Sequence, residues 1–196
     1  STPYFAGRCR EALKGSALLE TLDATLDALE GLNSQIKALD KQIAKTAAEH
    51  YPETKLLEQI GGVGPITSLS FVLAIGDPER FEDPRNVGAY LGLVPRRDQS
   101  GQSDKQLPIS KAGNREMRRL LVQCAQYILG RFGPDCDLRS YGLKLAAKGG
   151  RSAKRKAVVA VARKLAVLMI MLWKTGQPYD PQRNTPDKQL ESEAAA

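Results

Sequence analysis

Apolar residues recur every seven positions at Leu22, Leu29, Ile36 and Ile43, with Leu32 and Leu39 on the interleaved positions and Thr25 and Thr46 as weaker members. This spacing predicts one long helix with a narrow apolar stripe, a heptad seam of about three repeats. Asp23, Asp27, Glu30, Lys37, Lys41 and Lys45 fall on the opposite face. Ser16 or Gly15 marks the start, and Tyr51-Pro52 the end, because proline disfavours helical backbone in the residue before it. A coiled coil or an antiparallel hairpin would cover the stripe; so would the chain's own domain, if the helix lies on it.

Beyond Pro52 the pattern shortens. A helix from about Glu53 to Ile60 runs into Gly61-Gly62-Val63-Gly64-Pro65, and an apolar helix follows from Ile66 to Ile75. Gly76-Asp77-Pro78 and Asp83-Pro84 are turn signals, and Asn86 to Leu91 reads as a short helix. Between Pro95 and Pro108 the chain is polar and aperiodic, which predicts a loop of roughly a dozen residues. Asn114 then opens a helix with Met117, Leu120, Leu121, Cys124 and Ile128 on one side, and Gly130 to Pro134 breaks it. After a short segment at Leu138 to Ala147, a turn at Lys148 to Ser152 starts the last helix, which faces a core with Val158, Val161, Ala162, Leu165, Leu168 and Leu172 and stops at Gly176 and Pro178. No useful β-alternation occurs. The expected architecture is all-α, with a coiled-coil helix in residues 1–52, a helical domain in 53–178 and a disordered tail in 179–196.

Charge sharpens this division. Residues 1–55 carry 7 Lys/Arg against 8 Asp/Glu (net −1), residues 56–178 carry 20 against 10 (net +10), and residues 179–196 carry 2 against 4 (net −2). A positive field confined to the helical domain favours a polyanion, and double-stranded DNA is the expected partner. Hydrophobic residues at 42% exclude a disordered chain. Cys9, Cys124 and Cys136 form no C-x-x-C pair, and the one histidine, His50, is remote from them, so a disulfide framework or zinc site is not expected. Without a signal peptide, and with the Leu165–Trp173 apolar run too short for a bilayer, a cytoplasmic setting without membrane contact follows.

Four pieces could carry chemistry. The Gly61–Pro65 turn, with Gly62 and Gly64, offers free N–H groups at a helix start; it resembles a helix-hairpin-helix phosphate binder and equally a tight packing turn. Arg96, Arg97, Ser100 and Gly101 place a hydroxyl beside guanidiniums on mobile backbone. From the residues alone such a serine is usually a turn former, and Ser103 and Ser110 compete with it. Lys111, Asn114, Arg115, Arg118 and Arg119 crowd the start of a helix, as a solvated face or as a phosphate clamp. Lys144, Lys148, Arg151, Lys154, Arg155, Lys156, Arg163 and Lys164 fall in a stretch from Leu138 to Lys174 without an acid, a candidate backbone groove.

These pieces together, Ile60-Gly61-Gly62-Val63-Gly64-Pro65, Leu91-Gly92-Leu93-Val94-Pro95, Gln99-Ser100-Gly101 and Ile109-Ser110-Lys111-Ala112-Gly113-Asn114-Arg115, closely resemble the C-terminal transposase domain of the IS-one-ten family of insertion-sequence transposases. That family includes bridge-RNA-guided recombinases and pilin-gene DNA invertases. The resemblance covers roughly residues 55–175, with the heptad helix matching the family's coiled-coil linker. It implies that Ser100 is a nucleophile joining covalently to DNA and that a guide RNA is a possible partner; the heptad seam itself gives the expectation of a homo-oligomer through residues 22–46, or of packing on a second helix of the same chain. The resemblance further implies a RuvC-like domain binding divalent metal, expected to be Mg. This chain holds no such strand-rich domain, and its acids at Asp77, Glu79, Glu82, Asp83, Asp98 and Asp104 are scattered, so no metal is assigned to it. The competing reading is a non-catalytic DNA-binding and dimerisation module.

Overall fold

The computed structural model describes residues 4–100 and 103–183, and for residues 97–100 and 103–106 the backbone alone. It divides into two compact units, Ser1–Thr46 and Ala47–Ala196. Gly101 and the tail residues 184–196 lie outside the described residues.

The first unit contains a short helix α1 (Phe5–Ala12) and most of a long helix α2 (Ala17–His50). Helix α2 starts where the sequence signals it, with Ser16 Oγ accepting from Leu18 N at 3.3 Å. Of the heptad residues, Leu22, Leu32, Ile36 and Leu39 are exposed, Leu32 at 60% and Ile36 at 54%, while Leu29 and Ile43 are half-buried. The opposite face is occupied instead. Arg10 of α1 donates from Nε to Asp23 (2.8 Å), from Nη2 to Asp27 (2.6 Å) and from Nη1 to Glu30 (3.0 Å). These three carboxylates lie on consecutive turns, so one planar guanidinium reaches all of them. The hydrogen bonds to Asp23 and Glu30 raise the arginine's pKa further. Buried Ala6 and Leu26 supply an apolar footing. Helix α1 was not evident from the sequence pattern, because its partner is a charged face.

The second unit is built around the last helix, α8 (Ala153–Thr175). Val161, Leu165, Met169 and Ile170 of α8 are fully buried with Leu121 and Ile128 of α6 (Arg115–Leu129), Leu57 of α3 (Thr54–Leu57) and Phe71 of α4 (Pro65–Ile75). Burying a side chain of this size contributes about 1.5–3 kcal/mol, so this cluster dominates the unit's stability. Helix α7 (Asp137–Ala147) lies against α8, closely enough at Gly142 that an added Cβ would fall 2.5 Å from Val161 Cγ2. Helix α5 (Val87–Tyr90) approaches α8 at Gly88, beside Arg163. Gly176, in the left-handed region at φ +65°, ends α8. After it the chain returns: Tyr179 N donates to Gln59 Oε1 (2.8 Å) and Asp137 N to Pro181 O (2.8 Å).

The fold is predominantly helical, with one correction. The expected loop between Pro95 and Pro108 is an antiparallel hairpin of β1 (Pro95–Ser100) and β2 (Ser103–Ile109). Pro95 pairs with Ile109, Arg97 with Gln106 and Ser100 with Ser103. Between the first two pairs β2 carries one residue more than β1, a bulge that accommodates Pro108, which has no N–H for the ladder. From Arg96 to Gln106 the sequence contains no apolar residue, so no period-2 signal marks the strands.

Candidate nucleic-acid interface

The base of the hairpin is locked to the start of α6. The ladder runs on past the strands through Ser110 N to Val94 O (2.8 Å) and Lys111 N to Gly92 O (3.1 Å). Lys111 sits at φ +57°, the one non-glycine residue with positive φ among the described residues, and Gly113 follows at φ +75°. A Cβ on Gly113 would lie 2.1 Å from Tyr90 O, so only glycine allows this approach. Ser110 Oγ accepts from Ala112 N (3.4 Å), which gives that serine a role in the turn itself. Lys111 itself is exposed.

Helix α6 begins on Asn114, whose Oδ1 accepts from Met117 N at 3.0 Å. Its side chain is therefore an N-cap rather than a free group. Arg118 turns inward: Nη1 donates to Ala112 O (2.8 Å) and Leu91 O (3.1 Å). Arg119 is exposed and paired with Glu116 across one turn (2.9 Å), and Arg115 is exposed. The arginine cluster thus divides into an outer pair and an inner brace, a distinction that depends on tertiary contacts and has no signal in the sequence.

The glycine turn is also built. Gly62, at φ +95°, lies under the Tyr127 ring, and Gly61 lies against Pro134. Gly64 precedes Pro65 at the start of α4. Gly62, Val63, Gly64 and Thr67 with Leu120, Gln123, Cys124 and Tyr127 line an open depression. At its floor the Cys124 thiol meets Thr67 Oγ1 (3.7 Å); burial pushes its pKa up, with the Thr67 hydrogen bond opposing. The short α3 before the turn ends at Leu57, sooner than expected, and continues as single hydrogen-bonded turns to Ile60.

A third basic element is the start of α8. Arg151, Lys154, Arg155 and Lys156 are all exposed there, and the first turn contains no acid. Positive side chains at a helix N-terminus oppose the helix dipole, so this end is electrostatically strained unless an anion approaches it. Further along, Lys164 stacks over the Tyr141 ring at 4.0 Å. Arg96, at the root of β1, is exposed; for Arg97 and Ser100 the backbone position in β1 is what the structure describes. Among the described residues there is no group of three or more His, Cys, Asp or Glu side chains placed to hold a metal ion. No helix among them is long and apolar enough to cross a membrane.

The second unit is thus a helical core carrying a two-stranded hairpin, with cationic side chains near the starts of α6 and α8. The family model described as Transposase IS116/IS110/IS902 family matches residues 54–141, and these residues form a transposase domain of the IS110 family. The chain is 33% identical over 135 residues to the transposase for insertion sequence element IS1111A of Coxiella burnetii, covering 69% of this chain and 36% of that protein. It is 29% identical over 160 residues to the pilin gene-inverting protein of Moraxella bovis, covering 80% and 48%. A probable family 20 transposase of Pseudomonas aeruginosa is 30% identical over 162 residues, covering 83% and 47%. The chain thus spans about half or less of the length of these relatives.

Proposed function

We propose that this chain is the DNA-binding and serine-nucleophile part of an insertion-sequence recombinase. The observation that supports the reading is the hairpin: the backbone of Ser100 ends β1, at the far end from a base locked to the α6 N-terminus, within a sequence that matches a transposase family. In the step proposed, the Ser100 oxygen forms a bond to a DNA phosphorus and the bridging P–O bond to deoxyribose breaks. The departing oxygen takes up a proton to leave a free hydroxyl, and the serine proton passes to a base or to water. Rejoining reverses the exchange. Exposed Arg96, Arg115 and Arg119 and the α8 start supply charge for the DNA backbone. The glycine turn before α4 offers a helix-hairpin-helix-like contact with a phosphate. Metal-dependent chemistry is assigned to a RuvC-like domain outside this chain, and the cationic surfaces would equally accept the phosphates of a guide RNA.

The test is covalent capture in the full-length protein. With a suspended, nicked DNA substrate, Ser100→Ala should abolish the protein–DNA adduct while leaving affinity nearly unchanged. Ser103→Ala and Ser110→Ala should retain it. An adduct that survives in the Ser100 variant and vanishes in a control moves the nucleophile; no adduct from wild type leaves the non-catalytic DNA-binding module.

A further inference from the structure

Arg118 stands apart from the other cations near the hairpin, because it faces the protein. One guanidinium nitrogen, Nη1, holds Ala112 O at 2.8 Å and Leu91 O at 3.1 Å. Those two carbonyls belong to the two chain segments that leave the hairpin: Leu91 precedes Gly92 and Val94 on the β1 side, and Ala112 follows Ser110 and Lys111 on the β2 side. Arg118 therefore closes the open end of the ladder from outside it. Its neighbour on α6, Met117, is buried in the core, as are Leu91 and Leu93. The hairpin itself has no third strand among the described residues. A lone two-stranded ribbon is marginal in water, so its direction is set where it is rooted.

We propose that Arg118 is a positioning residue that fixes the root of the hairpin and so the place from which Ser100 acts; this rests on the reading of Ser100 given above. Arg118 acts through backbone carbonyls and leaves phosphate contact to its exposed neighbours Arg115 and Arg119. A guanidinium is suited to the task, since hydrogen bonds from a charged donor are about twice as strong as neutral ones. Small displacements matter for a nucleophile: misplacement by about 1 Å can cost about 10²-fold in rate.

The experiment compares Arg118→Ala and Arg118→Lys with Arg119→Ala in the full-length protein. Amide exchange in β1 and β2 should quicken about tenfold or more in Arg118→Ala while α8 amides keep their protection. Adduct formation should slow by up to about 10²-fold. The salt dependence of DNA affinity should keep its wild-type slope in Arg118→Ala and flatten by about 0.9 in Arg119→Ala. Arg118→Lys keeps the charge but not the planar fork, so it should rescue neither exchange nor rate fully. Unchanged hairpin exchange with a flattened slope would make Arg118 a phosphate ligand and overturn the proposal. So would full rescue by lysine, or exchange that quickens equally in α8, which would mark a general loss of stability. If wild type forms no adduct through Ser100, the nucleophile reading fails, and the exchange data still decide whether Arg118 holds the hairpin.

Discussion

Gly92 and Ala112 meet backbone to backbone: a Cβ on Gly92 would stand 2.2 Å from Ala112 O and 2.5 Å from Ala112 N, and Gly92 itself has φ +68°. Both neighbouring atoms are main chain, so nothing can swing aside. Gly92→Ala should therefore destabilise the second unit by about 2–4 kcal/mol, combining left-handed strain with a separation of the hairpin root. Urea unfolding measures it. A loss below about 0.5 kcal/mol would mean the two segments part easily.

The start of α8 sets stability against binding. Replacing Lys154, Arg155 and Lys156 by glutamine removes three cations from a helix N-terminus, and each should raise stability by about 0.3–1 kcal/mol. The same change should flatten the log–log salt dependence of DNA affinity by about 2–3. Thermal melts and salt titrations should thus move in opposite senses. A variant that loses stability as well as affinity would show these residues to be structural.

The exposed heptad residues Leu32, Ile36 and Leu39 of α2 allow a direct test for self-association. Leu32→Lys with Leu39→Lys should convert an oligomer to monomer in sedimentation with helix content intact. An unchanged mass in both wild type and variant would leave the stripe without a second copy as its partner.

Thiol reactivity should divide the three cysteines. Cys9 is part-exposed, whereas Cys124 and Cys136 are buried. A disulfide reagent at pH 8 should titrate one thiol rapidly and the other two only on unfolding. Because the folded Cys124 pKa is raised by burial, its native state keeps a proton that the unfolded chain sheds. That contribution is complete below about pH 8.5, the usual thiol value, and is lost as pH rises from there toward the folded value. Cys124→Ala should reduce this alkaline loss; an identical alkaline profile would assign it elsewhere.

Much of the fold could be read from periodicity and caps. Leu22 to Ile43 announced α2, Asn114 announced the start of α6, and Gly176 the end of α8, because each signal is local. The hairpin escaped because Arg96, Asp98, Gln99, Asp104, Lys105 and Gln106 are polar whichever way they point. Helix α1 escaped because Arg10 finds its carboxylates 13 to 20 positions away. The site shows the same division. Composition collected the cations at 111–119, but only three-dimensional contact separates Arg118, bound to carbonyls, from Arg115 on the surface.

The bond from Tyr179 N to Gln59 Oε1 joins positions 120 residues apart. Between them lie α4, the hairpin and α6 to α8, so this contact closes nearly the whole second unit into a loop. Closing a loop of that length late in folding adds little entropic cost over a shorter one, since the cost grows only with the logarithm of length. Its effect is on cooperativity: opening of the turn after α3 and fraying after α8 both break this one contact, so the two local openings are coupled.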